Sequence, residues 1–184
     1  MTVFLFHGIE GHPGENWFPW LKNELEGERR EVIVPAFPNP HEPKLAEWLG
    51  AFALYENRLD GESILIGHSL GASFALHLLE HMKNPVCATF LISPVSLPTG
   101  NAFESRMKTF TETPYEWNMI RKNAGTVIIV HGDNDPYLRL TQAQELAETL
   151  KTALTVIRGG GHLNATAGFM TFPLLLEKIH ETLS

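Results

Sequence analysis

Residues 63–75 read SILIGHSLGASFA. A short apolar run ends at Gly67, Ser69 follows two residues later, Gly71 comes next, and small residues continue from Ala72. A continuously apolar run of this length reads as a strand buried on both faces. The residues beyond it predict a helix over about 70–83. Gly67-x-Ser69-x-Gly71 therefore fits a sharp strand-to-helix turn that lifts one hydroxyl above a sheet. Glycine suits both flanks, because a Cβ there would strike the neighbouring strand or helix. Taken by itself, the same stretch is also a tight turn in which Ser69 caps the helix.

The pattern repeats along the chain. TVFLF (2–6), EVIVP (31–35), SILIG (63–67), CATFLIS (87–93), TVIIVHG (126–132) and LTVIR (154–158) are strand candidates. Helical patterns lie between them at about 16–27, 43–59, 70–83, 105–123 (room for two short helices), 139–151 and 169–182. Strand alternating with helix predicts one α/β domain over 1–184: a three-layer α/β/α sandwich around a mostly parallel sheet of about six strands. Ligands of such sheets bind beyond the carboxyl ends of the strands.

Composition narrows the function. With 184 residues, 43% hydrophobic and 19% charged, the chain has the make-up of a folded globular protein. A net charge of −7, with no basic run, argues against a nucleic-acid partner. Cys87 is the single cysteine, which excludes an intrachain disulfide and a Cys-rich metal site. No apolar run reaches the ~18 residues of a membrane helix, and MTVFLFHG lacks a basic leader, so it reads as a first strand of a cytoplasmic protein. Oligomeric state is left open.

The segments after the strands carry the chemistry. They are His7-Gly8-Ile9-Glu10-Gly11, the proline-rich PAFPNPHEP, Gly67-His68-Ser69-Leu70-Gly71, Gly132-Asp133-Asn134-Asp135-Pro136 and Gly159-Gly160-Gly161-His162. A serine hydroxyl is a weak nucleophile until a base takes its proton, and the base needs an acid to orient it. Serine, then acid, then histidine is the chain order for a nucleophile elbow of this type. Ser69, Asp135 and His162 follow it, each in a loop directly after a strand. Asp133 competes with Asp135; it reads as a turn residue bonding its own backbone, and Asp135, before a fixed proline exit, is the favoured acid. Three glycines free the loop to bring His162 back toward Ser69. The Leu70 N–H and an N–H of the first loop, at Ile9, are the expected oxyanion donors. His7, His68 and His131 read as structural. Trp17, Trp20, Trp48 and Phe37 could wall an acyl pocket or simply fill the core. Trp17 and, in the proline-rich loop, Asn39 are the candidate substrate contacts.

A rival reading comes from His77-Leu78-Leu79-Glu80-His81, an H-x-x-E-H pattern that can hold zinc. It lies in the second half of the helix, away from the strand ends, with no third ligand at helical spacing; a solvated helix end explains it better. No P-loop and no GxGxxG is present, so no cofactor is indicated.

Beyond these residues, Asn16-Trp17-Phe18-Pro19-Trp20-Leu21-Lys22, Pro38-Asn39-Pro40, Glu47-Trp48-Leu49, GHSLG, Ser96-Leu97-Pro98-Thr99 and Gly160-Gly161-His162-Leu163 run nearly end to end. With them the chain resembles the small YdeN-like serine hydrolases of the α/β-hydrolase superfamily, the family that includes retinoblastoma-binding protein nine. The resemblance implies a compact, capless α/β-hydrolase fold with its triad on Ser69, Asp135 and His162, and ester or peptide-type hydrolysis. The Leu-x-Cys-x-Glu retinoblastoma-binding motif is absent: Pro85 and Thr89 flank Cys87 where Leu and Glu would stand. A non-enzymatic interaction role is thus the least favoured reading. Larger lids of the superfamily enter between Ser93 and Thr126, where ESRMKTFTETPYEWNMIRKN leaves room for only one or two short helices. A shallow cleft is expected, with small esters such as acetates or butyrates as substrates, and amides or peptides as the alternative.

Overall fold

The computed structural model describes residues 1–183. Its strands are β1 (Thr2–Phe6), β2 (Glu31–Ile33), β3 (Ile64–His68), β4 (Ala88–Ile92), β5 (Thr126–Gly132) and β6 (Leu154–Ile157). They form one sheet in the order β2-β1-β3-β4-β5-β6, every neighbouring pair parallel. Every residue of β1, β3 and β4 is buried, as a run apolar on both faces requires.

The helices are α1 (Phe18–Gly27), α2 (Leu45–Phe52), α3 (Leu70–His81), α4 (Glu104–Thr111), α5 (Trp117–Asn123), α6 (Leu140–Leu150) and α7 (Pro173–Thr182). Strand side chains alternate between faces, and the core divides accordingly. Val3, Leu5, Ile64 and Ile66 pack with Phe18 and Leu21 of α1 and Leu175 and Ile179 of α7. Phe4, Phe6 and Leu65 turn the other way, toward Trp48 and Phe52 of α2 and Phe74 of α3. On that side Phe37 stacks on Trp48 with ring centroids 4.4 Å apart and 8° between planes. Each such fully buried side chain stabilises the fold by about 1.5–3 kcal/mol.

Several predicted boundaries move for identifiable reasons. Strand β2 stops at Ile33, short of Pro35, which has no N–H to give a ladder. The helix expected over 43–59 becomes α2 followed by a tighter 3₁₀ segment, Ala53–Arg58. Pro114 lies in the break between α4 and α5. Helix α7 begins later than its apolar pattern suggests, with Pro173 in its first turn, where the missing N–H costs nothing.

The chain enters the sheet at β1, moves outward to β2, then returns past β1 to β3 and continues to β6. Adjacent β1 and β3 thus send their connections to opposite faces, α1 to one and α3 to the other. A crevice opens at their carboxyl ends, the position where sheets of this type bind ligands. Gly8, Ile9 and Ser69 stand there.

Candidate active site

Ser69 sits between β3 and α3 with φ 56° and ψ −118°, a left-handed backbone that side chains other than glycine rarely adopt. Its neighbours make the turn possible. A Cβ on Gly67 would lie 2.4 Å from Gly71 O, and one on Gly71 would lie 2.1 Å from Phe6 O. The serine backbone is pinned to β4 and beyond: its N–H donates to Ile92 O at 2.9 Å, and its carbonyl accepts from Val95 N–H at 3.2 Å. Strain at Ser69 is therefore held by a surround that has no slack, which is how such conformations persist.

The loops that carry Asp135 and His162 are tied together residue by residue. Asp133 Oδ1 accepts from Gly159 N–H at 2.7 Å, and Asn134 Oδ1 accepts from Gly161 N–H at 2.7 Å. Asp133 thus bonds across to the glycine loop rather than to its own backbone, a correction to its reading as a self-contained turn. Asp135 does something different. Its Oδ2 lies 2.7 Å from His162 Nδ1, while Oδ1 accepts from Tyr137 N–H and Leu138 N–H at 2.8 and 3.1 Å. Burial alone would raise the Asp135 carboxyl. The hydrogen bond and charge of His162, with the Tyr137 N–H, outweigh it and hold the group below the usual carboxylate range.

With Nδ1 bonded to Asp135, the Nε2 lone pair is the one open to a serine proton. Ser69 and His162 line the same cleft of about 270 Å³. Ser69 Oγ itself makes no hydrogen bond among the described residues. Gly161, at φ 53°, needs its freedom to turn the base loop inward, and Gly132 must be bare because a Cβ there would lie 2.2 Å from Gly161 O.

The three histidines read as structural occupy support positions. His68 bonds through Nε2 to the carbonyl of His162 at 2.9 Å; burial pushes its pKa down to about 3, so it is neutral and donates this proton. His7 accepts from Phe37 N–H on Nε2 at 3.2 Å, which puts its proton on Nδ1, 2.9 Å from Gly8 O. Burial lowers its pKa as well. His131 is fully buried 4.0 Å from Asp135 Oδ2. Gly8 lies so near the serine that a Cβ on it would stand 3.0 Å from Ser69 Cβ. The N–H groups of Ile9 and Leu70, one in this loop and one at the start of α3, have no acceptor among the described residues.

Both expected substrate contacts are corrected. Trp17 is wholly buried: its indole N–H donates to Leu163 O at 3.0 Å, and its ring meets those of Phe18 and Phe172. It braces the loop that carries His162. Asn39 is exposed, at φ 49°, and donates to Glu47 Oε2 at 2.8 Å in a separate depression with His41 and Lys44. Trp48 and Phe37 belong to the core. The cleft walls come instead from Glu10, Glu15 and Asn16 of the first loop, Phe103 and Met107 at α4, and Asn164 and Thr166 past the base. Their loops lack periodicity, so nothing local in the sequence marks them. Asn164, two residues beyond His162, is the one that position alone could have suggested.

The H-x-x-E-H stretch serves packing. His77 is buried, its Nδ1 2.9 Å from Glu80 Oε2 and its Nε2 2.9 Å from Phe110 O, which leaves neither nitrogen for a metal. His81 is exposed at the helix end. Among the described residues no cluster of three or more His, Cys, Asp or Glu side chains could hold an ion, and no helix is long and apolar enough to cross a membrane.

Comparison with known proteins agrees with this fold. The family model described as serine hydrolase matches residues 3–181. YdeN of Bacillus subtilis (strain 168) is 28% identical over 179 residues, covering 95% of this chain and 92% of that protein. A crystal structure of the B. subtilis ydeN gene product superposes with a TM-score of 0.91 at 27% identity, over 99% of this chain and 98% of that one. Serine hydrolase RBBP9 of Rattus norvegicus is 28% identical over 151 residues, 82% of this chain and 79% of that protein. At the level of fold alone, mouse alpha/beta hydrolase domain-containing protein 10 matches with a TM-score of 0.74 at 14% identity, covering 100% of this chain and 90% of that one. A parallel six-stranded sheet with a strained serine at its crevice, matched from end to end by such relatives, makes the chain a member of the serine hydrolase family with an α/β-hydrolase fold.

Proposed function

We propose that this serine hydrolase is a carboxylesterase for small esters, with Ser69 as nucleophile, His162 as base and Asp135 as the group that orients the base. The observation that carries the reading is the 2.7 Å Asp135–His162 bond in a loop whose imidazole shares a cleft with Ser69. Ser69 Oγ attacks the ester carbonyl carbon while its proton passes to His162 Nε2. The carbonyl oxygen becomes an oxyanion held by the Ile9 and Leu70 N–H groups, a donor pair of which each member is worth about 10²–10³ in rate. Collapse breaks the bond to the alcohol, which leaves with the proton from His162. Water then repeats the sequence on the acyl-serine, releasing the carboxylic acid and restoring Ser69.

A preference for small acyl groups is supported by the modest size of the cleft, about 270 Å³. A fluorophosphonate should label the wild type and spare Ser69→Ala; labelling that persists in the variant overturns the assignment. Nitrophenyl acetate and aminoacyl nitroanilides assayed side by side separate esterase from amidase, and a larger kcat/KM for the anilides would move the reading to an aminopeptidase.

A further inference from the structure

The cleft lining is mixed. Val95, Phe103, Met107 and Leu138 are apolar, with Asn101 and Tyr137 among them, whereas Glu15, Asn16, Asn164 and Thr166 are all polar. The leaving alcohol must take the proton held by His162, so it lies beside the base. Asn164 and Thr166 are on the loop of that base, and between them Ala165 N–H donates to Asn16 Oδ1 at 2.9 Å. That bond ties residue 16, and with it Glu15, to the leaving-group side. The Glu15 carboxyl is folded against bare Gly11, where a Cβ would stand 2.5 Å from Oε1.

Among the described residues Glu15 has no salt-bridge partner, and no Lys or Arg lines the cleft. The ionisable groups around it are otherwise engaged. Glu10 is paired with Arg106 at 2.8 Å, His68 is neutral and bonded to His162 O, and His162 is bonded to Asp135. From its own loop only the His12 backbone offers a hydrogen bond, which opposes without overcoming the effect of burial; burial lifts the Glu15 carboxyl to about 7. A half-buried carboxylate without a counter-ion gains from any cation brought to it.

We propose that Glu15 is a specificity residue of the leaving-group side, selecting esters whose alcohol portion carries a positive charge such as a quaternary ammonium. This rests on the roles given above to Ser69 and His162. The acyl group then occupies the Val95–Met107–Leu138 lining and the cationic alcohol faces Glu15, Asn16 and Asn164.

The test uses two esters of the same shape, acetylcholine and its uncharged carbon isostere 3,3-dimethylbutyl acetate. Protonation of His162 affects both equally, so it cancels in the ratio of their kcat/KM values. In the wild type this ratio should rise about tenfold between about pH 5.5 and 8.5, the scale of one charge-assisted contact, as Glu15 ionises. In Glu15→Gln it should be flat, and in Glu24→Gln, on the exposed face of α1, it should follow the wild type. Hydrolysis of both esters at a flat wild-type ratio, or an equal rise in Glu15→Gln, overturns the inference alone. Failure of the wild type to hydrolyse either ester while it hydrolyses nitrophenyl acetate overturns the inference alone, and failure on nitrophenyl acetate as well overturns the esterase reading and this inference with it. If Glu15→Gln does not fold, a flat wild-type profile still overturns the inference, and Glu15→Ala, read in the same way, takes the place of the glutamine variant.

Discussion

Gly159 gives its N–H to Asp133 Oδ1 at 2.7 Å, two residues before the carboxylate that meets His162 at the same distance. The neighbouring acids thus hold the same loop by different means, one through backbone and one through the imidazole.

Their substitutions should separate. Asp135→Asn removes the acceptor that fixes the imidazole tautomer and should cost up to ~10⁴ in kcat, with the fold retained. Asp133→Ala leaves a backbone N–H without its acceptor and should lower stability by about 1 kcal/mol, with a far smaller loss of rate. Steady-state kinetics beside urea melts decide; a larger rate loss at Asp133, with comparable stabilities, would exchange the two roles.

Strain at φ 56° should be measurable at Ser69. Ser69→Ala and Ser69→Gly both delete the hydroxyl, and only glycine tolerates that backbone freely. Ser69→Gly should therefore be more stable than Ser69→Ala by about 1 kcal/mol, glycine's extra chain entropy offsetting part of the relief. Equal denaturation midpoints would mean the elbow stores no strain.

Glu15 makes stability fall with rising pH. Its carboxyl titrates at about 7 in the fold against 4.5 ordinarily, so the native state binds the proton more tightly. That contribution is complete below about pH 4.5 and is lost by about pH 7. The full shift corresponds to ~3 kcal/mol, and solvent screening at a half-buried site reduces it to about 1 kcal/mol. Glu15→Gln should consequently gain in Tm relative to wild type between pH 5 and 8. An unchanged difference in Tm across that range would show that Glu15 ionises normally.

His7, His68 and His131 act with the opposite sign. Burial lowers all three, His68 to about 3, so the unfolded chain binds more protons below 6.5. Their stabilisation is present above pH 6.5 and drains away on acidification. Calorimetry of Glu15→Gln, where the counteracting group is gone, should show Tm dropping steadily from about pH 6.5 to 4.5. A level profile there would mean these imidazoles charge without cost.

Acyl length should reveal the reach of the cleft. Each buried methylene is worth ~0.8 kcal/mol, but only while it still meets protein, and about 270 Å³ fills quickly. Nitrophenyl acetate and butyrate should surpass the palmitate in kcat/KM. A rise continuing to palmitate would require an apolar channel beyond Met107.

Much of this architecture is legible in the sequence because strands buried on both faces leave uninterrupted apolar runs, and the elbow glycines are dictated by backbone packed against Gly67 and Gly71. Asp135 and His162 announce themselves by following strands β5 and β6 directly. Trp17 and Asn39 mislead for one physical reason: nearness along the chain to the first loops says nothing about which way a side chain turns. Trp17 turns into the core, toward Leu163 O, and Asn39 turns outward, toward Glu47. Glu15 carries no pattern at all. Its distinction comes from burial and from the lack of a nearby cation, both products of tertiary structure.

A cleft with acidic Glu10 and Glu15 on its walls, and no Lys or Arg there, also governs how products depart. Under the ester hydrolysis proposed above, each turnover leaves a carboxylate anion and a proton in a chain of net charge −7. The same field that would draw a cationic ester inward pushes its acid fragment out. Release is thereby assisted, and accumulated acetate should be a poor inhibitor even when substrate is scarce.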